Sequence, residues 1–185
     1  MWHASDATTS ARIRPFQKPG PSTEVGGAEP WSRGPGNVGM GRAVAMFMTF
    51  SVDVTVRGYE LDTQGHLNQA VYLQYAEHAR WELLRAAGLP QEKLLASGVG
   101  PVALEVTMRY LRELRGGDKV RVTCQFVYGG GMTFKVVQQI VKDDGTVAAE
   151  ISGVAGMLDL TTRRLITDPR SHLTALADNP DLLSG

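Results

Sequence analysis

The chain has 185 residues, 43% of them apolar, and a formal net charge of zero. That length suffices for one domain with its own core, and the charge supplies no general pull toward nucleic acid or a membrane surface. No run approaches the roughly 20 apolar residues of a spanning helix. The single cysteine, Cys124, excludes an intrachain disulfide and a cysteine-rich metal site.

Residues 1–48 differ in composition from the rest. They hold five of the nine prolines (Pro15, Pro19, Pro21, Pro30, Pro35), many glycines and no apolar periodicity. Such a segment buries too little surface to offset its chain entropy, and a disordered extension is expected. Two origins are open. The segment is translated upstream sequence, with Met46 or Met48 as the functional start, or it is an organelle transit peptide rich in arginine (Arg12, Arg14, Arg33, Arg42). The first places the protein in the cytoplasm, the second in a plastid or other organelle. Gly34-Pro-Gly36-Asn-Val-Gly39 matches a dinucleotide-binding glycine pattern in spelling, but no strand precedes it and no helix pattern follows.

From Thr49 to Arg57 apolar and polar residues alternate, which predicts a half-buried strand. Gly58 and Tyr59 end it. A helix is predicted from a cap at Asn68 to about Ala87, with Gly88 just beyond its end and Pro90 preventing continuation. Leu67, Tyr72, Ala76, Ala79, Leu83 and Ala87 form its apolar stripe, small enough in the middle to lie close to a sheet. Only strands are expected afterwards: 102–110, 120–126, 134–140 and 147–160, with a short edge at 165–167. The turns at 114–118, 129–131 and Asp143-Asp144-Gly145 are tight, so neighbouring strands should be antiparallel. Gly153 and Gly156 suggest a bulge or close packing. Residues 170–185 read as a frayed helical tail. The expected fold class is α+β, one antiparallel sheet wrapped around one long central helix. The expected domain spans residues 49–170, followed by a tail at 171–185.

The loop before the helix, Glu60-Leu-Asp62-Thr-Gln-Gly65-His66-Leu-Asn68-Gln69, places a carboxylate beside a helix start. A helix start offers unpaired N–H groups and partial positive charge. On the residues alone two readings of Asp62 stand: a loop carboxylate that caps the helix, and an acid that acts on an acyl carbon or a water while a helix N–H polarises the carbonyl. Asn68 reads as the cap and Tyr72 as core packing. Glu77 and Arg80, at i and i+3, either pair on the helix surface or face a cleft. His66 and His78 lack a second histidine at i+4, so no metal is expected. No Gly-x-Ser-x-Gly occurs. Arg109, Lys119 and Arg121 fall on the polar side of their strands. They contact substrate phosphates or form a solvated sheet face.

Glu60, Asp62, Gly65, His66, Asn68, Tyr72, Glu77 and Arg80 share the spacing of a known motif, and Arg109 to Val122 adds a strand, a Gly-Asp turn and a strand. With these residues the chain resembles the hotdog-fold thioesterases of the 4-hydroxybenzoyl-CoA thioesterase type, over about residues 49–168. Its wording is similar to the plant acyl-lipid branch, which acts on acyl carrier protein. Leu67 and Gln69 depart from the usual motif. The resemblance implies a homodimer or homotetramer with the site between subunits, and no cofactor. It implies Asp62 as nucleophile or general base and the N–H near Gln69 as the carbonyl's partner. Asn68, Glu77 and Arg80 are its other candidate catalytic residues; Arg80 matches an arginine of the polyketide-pathway relatives. Gly65, His66, Tyr72, Arg109 and Arg121 are the candidate substrate contacts. The expected substrate is a fatty acyl thioester of acyl carrier protein or coenzyme A. A polyketide or aromatic acyl group, or acyl-thioester binding without catalysis, is the alternative. Hydratases of this fold carry Asp-x-Asn-Pro-x-His, and this chain lacks the Asn-Pro.

Overall fold

The computed structural model describes residues 49–184. The expectations for residues 1–48 therefore lie outside the described residues. Strand β1 (Phe50–Thr55) leads through a 3-10 turn (Gly58–Glu60) and a loop into helix α1 (Gln69–Ala86). Helix α2 (Gln91–Ala96) follows, then strands β2 (Val99–Tyr110), β3 (Lys119–Tyr128), β4 (Thr133–Lys142) and β5 (Val147–Asp159), and helix α3 (Pro169–Leu176).

All five strands join one antiparallel sheet in the order β1-β3-β4-β5-β2. Tight turns make β3, β4 and β5 neighbours. The crossover through α1 carries the chain from the β1 edge to the opposite edge, where β2 pairs with β5. The register shifts between Ala103 and Glu105, across from Ala155 and Val154, so the irregularity lies on the partner strand, and Gly153 packs closely on it, where a Cβ would meet Glu105 O at 3.0 Å.

Alternation decides which face is buried. Val120, Val122, Cys124 and Phe126 of β3, and Phe134, Val136 and Ile140 of β4, point to the helix side and are buried. Helix α1 lies over β3 and β1. Ala76, Ala79, Leu83 and Ala87 of the predicted stripe are fully buried, and Leu67 and Tyr72 nearly so. Alanines at the contact let the helix axis approach the sheet. The helix covers only part of this face. On β2, Leu104, Val106 and Tyr110 are 51%, 40% and 52% exposed. Apolar side chains so open on an edge strand mark an uncovered surface.

Two expectations are corrected. Residues after Pro90 are not all strand: Pro90 precedes the short helix α2, a position where proline's fixed φ suits a helix start. Six residues are too few to show helical periodicity in sequence. Residues 170–184 are not a frayed tail. Asp168 caps α3 by accepting from Ser171 N at 3.1 Å, and Leu173 and Leu183 are buried. Asp178 N and Asn179 N both donate to Ala87 O, at 3.0 and 3.1 Å, tying the segment to the end of α1. Gly88 permits this tie. It has φ +79°, and a Cβ there would meet the Asp178 side chain at 2.3 Å. The expected edge at 165–167 reduces to one bridge, Leu158 with Leu165.

Leu173→Ala tests whether this segment belongs to the cooperative unit. A cavity at a fully buried leucine should lower unfolding stability by about 2–5 kcal/mol, read as a drop in the urea midpoint. A shift near zero would return the segment to a loosely attached tail.

Candidate active site

The loop between β1 and α1 is held by hydrogen bonds that cross it. Asp62 N donates to His66 O at 2.7 Å, and Gly65 N donates to Asp62 O at 3.1 Å. Gly65 sits at φ +79°, where a residue with a Cβ would be strained by about 1–2 kcal/mol. The Asp62 carboxylate closes the same turn. Its Oδ1 accepts from Gln64 N at 2.8 Å and from His66 N at 3.1 Å. These N–H groups, His66 foremost, hold the carboxyl below the usual carboxylate range. Both bonds fall on Oδ1, so Oδ2 is the oxygen left for chemistry.

The helix start is fixed to the same loop. Asn68 N donates to Glu60 O at 2.9 Å, and Leu67 N to Leu114 O at 2.7 Å. Asn68 Oδ1 accepts from Ala70 N at 2.9 Å. Asn68 is therefore the cap, and Asp62 is not. Val71 N turns back to Asn68 O. Gln69 N–H is left with no acceptor among the described residues, on an exposed residue. A free amide at the positive end of a long helix suits a developing oxyanion. Tyr110 OH donates to Gln69 O at 3.2 Å, and the Tyr110 ring meets Tyr72 edge-on at 5.1 Å. Tyr72 is buried, and burial pushes its hydroxyl up to about 12.

Glu60 ties the loop to the helix from the other side, a role the sequence reading did not give it. Its Oε2 accepts from Arg57 N at 2.7 Å and from Tyr75 OH at 2.5 Å. Burial raises the Glu60 pKa, but the Tyr75 and Arg57 hydrogen bonds outweigh it and bring the carboxyl below its ordinary value. His66 Nε2 lies 2.9 Å from Glu113 Oε2. Among the described residues no group of three His, Cys, Asp or Glu side chains is placed to hold a metal.

Glu77 and Arg80 do not pair: among the described residues no carboxylate lies within 4.0 Å of the Arg80 guanidinium. Both line a cavity of about 120 Å³ between α1 and strands β2, β3, β4 and β5, walled by apolar residues such as Trp81, Phe126, Phe134 and Ile151. Asp62, Asn68 and Gln69 do not line it. The candidate residues thus fall into two groups, a loop-and-helix-start group and a mid-helix cavity group. Gln138, also at the cavity wall, falls on the predicted apolar face of its strand with Phe134, Val136 and Ile140, but the sequence reading gives it no functional role; its signal is a polar residue at an inward position of that face.

Residues 56–178 match the family described as the thioesterase-like superfamily. The chain belongs to that superfamily. It is 34% identical over 115 residues to the chloroplastic acyl-acyl carrier protein thioesterase ATL3 of Arabidopsis thaliana, an alignment covering 58% of this chain and 57% of the relative. It is 29% identical to the long-chain acyl-CoA thioesterase FadM of Escherichia coli, over 61% of this chain and 86% of that one. A crystal structure of a hypothetical protein from Aquifex aeolicus superposes with a TM-score of 0.62 at 27% identity, over 69% of this chain and 98% of the other. The chain spans little more than half the length of the Arabidopsis relative. The sheet and its central helix are those of the superfamily's hotdog fold.

In this superfamily member the two strand arginines stand apart from the loop. Arg109 and Arg121 are on the sheet face opposite α1. Arg109 Nη1 bonds Glu150 Oε2 at 3.0 Å, and Arg121 Nε bonds Asp53 Oδ1 at 3.3 Å. Exposed pairs of this kind contribute ~0–1 kcal/mol. Within one chain neither arginine meets Asp62, Gln69 or the mid-helix cavity.

The Asp62 carboxyl should titrate below 3.8, the ordinary value for the group, when followed through its carbon resonance by NMR. A folded-state pKa below the unfolded one gives stability that is present above the unfolded pKa and lost as pH falls through the lowered value. A midpoint at or above 3.8 would break the link between the turn and the ionised carboxylate.

Proposed function

We propose that the protein hydrolyses acyl thioesters to a free acid and a thiol. The observation that carries this reading is an Asp62 carboxylate whose hydrogen bonds both fall on Oδ1, in the loop that leads to a helix-start amide at Gln69 with no acceptor among the described residues. The amide receives the thioester carbonyl oxygen as negative charge develops on it. Asp62 acts on the carbonyl carbon directly or through a water. The carbon–sulfur bond breaks, the sulfur takes up a proton as the thiol, and water supplies the oxygen of the acid. Asn68 orients the amide by capping the helix. Tyr72 and Tyr110 brace the same helix start, and Gly65 and His66 shape the loop beside it.

The acyl group lies in the apolar cavity at Trp81 and Phe126, with Glu77 and Arg80 at its wall. Fatty acyl groups on acyl carrier protein or coenzyme A are the proposed substrates, supported by the activities named for the Arabidopsis and Escherichia coli relatives. Two copies are proposed to pair through β2, whose edge exposes Leu104, Val106 and Tyr110. Residues Val102, Glu105 and Val106 of the same strand line the cavity, so pairing would complete its wall, and two such dimers would form the homotetramer. No described helix is long and apolar enough to cross a membrane. The proposed location is the cytoplasm. The plastid is the alternative that the Arabidopsis relative supports.

Asp62→Ala should lower turnover by about 10²–10⁴-fold in a thiol-release assay over a panel of acyl-CoA and acyl carrier protein thioesters, while circular dichroism shows the fold unchanged. Unaltered turnover in the folded variant would remove Asp62 from the mechanism. Hydrolysis of none of the panel by the wild-type protein would overturn the thioesterase reading.

A further inference from the structure

Gln138 occupies the middle of β4 on the face that carries Phe134, Val136 and Ile140, and it is 1% exposed. It is the one buried polar side chain outside the apolar core set among the described residues. A buried amide left without partners is destabilising, so its contacts decide why it is tolerated. Nε2 donates to Ala76 O at 2.8 Å and, less closely, to Thr123 O at 3.4 Å. Oε1 accepts from Arg80 Nη1 at 3.2 Å.

These partners permit one orientation of the amide. Ala76 and Thr123 present carbonyl oxygens, which only accept, and a guanidinium only donates. Nε2 must therefore face the carbonyls and Oε1 must face Arg80. The contact also has a helical logic. The i to i−4 pattern joins the Arg80 N–H to the Ala76 carbonyl. Gln138 thus grips one turn of α1 at its backbone and at the side chain that leaves it. Arg80 has no carboxylate partner among the described residues, and the Gln138 carbonyl is its one hydrogen-bond acceptor there. A free arginine side chain loses much rotamer entropy when it is ordered. The fixed amide imposes that order before any ligand arrives.

We propose that Gln138 is a positioning residue: its side-chain carbonyl holds the Arg80 guanidinium in one orientation at the cavity wall beside the acyl group. The proposal rests on the reading of this cavity as the acyl site. It assigns Gln138 no contact with the reacting atoms.

A double-mutant cycle with Gln138→Met and Arg80→Met tests it on the full chain. Methionine keeps the length of the side chain and removes the acceptor. Each single variant should lose about 10–100-fold in kcat/KM, the scale of a misplaced positioning group. In the Arg80→Met background, Gln138→Met should add less than about a twofold further loss in kcat/KM. Losses that multiply, or a Gln138→Met variant with wild-type kcat/KM, would reduce Gln138 to a satisfied core residue and overturn the proposal. Arg80→Met with wild-type kcat/KM would overturn it too, by removing the group it acts through. Wild-type protein inactive on the whole thioester panel would instead sink the thioesterase reading, and this proposal with it. If Gln138→Met does not fold, Gln138→Asn, which withdraws the carbonyl by one bond, should show the same pattern. In the unmodified protein the Arg80 Nε–Hε order parameter should approach the ~0.85 of rigid backbone, and a value under ~0.6 contradicts the clamp.

Discussion

The position of the helix start relative to the Asp62 turn is the constraint on which the site depends. It is set by backbone hydrogen bonds. Asn68 N reaches Glu60 O across the loop, Leu67 N reaches Leu114 O on the segment before β3, and Asp62 N closes on His66 O. Each of these N–H groups would otherwise be an unpaired donor at the entrance to a helix. Satisfying them fixes where α1 begins. The same bonds leave Gln69 N–H unclaimed, because the cap serves Ala70 and the loop serves its neighbours. The free amide is thus a consequence of how the other donors are paired. Glu60 reinforces the arrangement with a carboxylate that Tyr75 of α1 and Arg57 of the preceding strand exit both hold.

The packing of α1 explains why a cavity exists beside a dense core. Its alanines press on β3 and β1, where the helix and sheet are close. The sheet is wider than one helix. Beyond that contact α1 leaves part of β4, β5 and β2 uncovered, and the larger side chains Trp81 and Leu84 bound the resulting space. Gln138 stands at the border between the two regimes. On one side it meets the helix backbone, and on the other its carbonyl meets Arg80. A leucine there would satisfy the core but give the guanidinium nothing to lean on.

The elements legible in the sequence are those whose burial follows a local rule. Period-two runs announce β3, β4 and β5 because one face of each is covered. Asn68 and Gly88 mark the ends of α1 because capping chemistry is local. Asp143-Asp144-Gly145 marks its hairpin for the same reason. Helix α2 was hidden by its shortness. The docking of α3 was hidden because it depends on Ala87, some 90 residues earlier, and no spacing in the tail encodes that partner. Within the candidate site, Asp62, Asn68 and Gln69 follow one another through the loop into the start of α1, as the spacing of the motif implies. It did not reveal which oxygen of Asp62 is engaged, that Glu60 is held by Tyr75, or that Arg80 turns to a glutamine instead of to Glu77. Those facts depend on strands brought alongside the helix from elsewhere in the chain.

The separation of the two groups of site residues has a consequence for the substrate. Gln69 and Arg80 are 11 positions apart on one helix, roughly 16 Å along its axis. A thioester carbonyl bound at the helix start and an acyl terminus at Arg80 of the same chain would have to be joined by a long extended chain. Under the pairing of two copies proposed above, the helix start and the cavity that share a substrate belong to different chains, and that requirement falls away. The exposed apolar edge of β2 and the entry of its residues into the cavity lining are two aspects of this single surface. An acyl group seated there would cover what a lone chain leaves open to water, so burial of the edge strand and binding of substrate draw on the same apolar area.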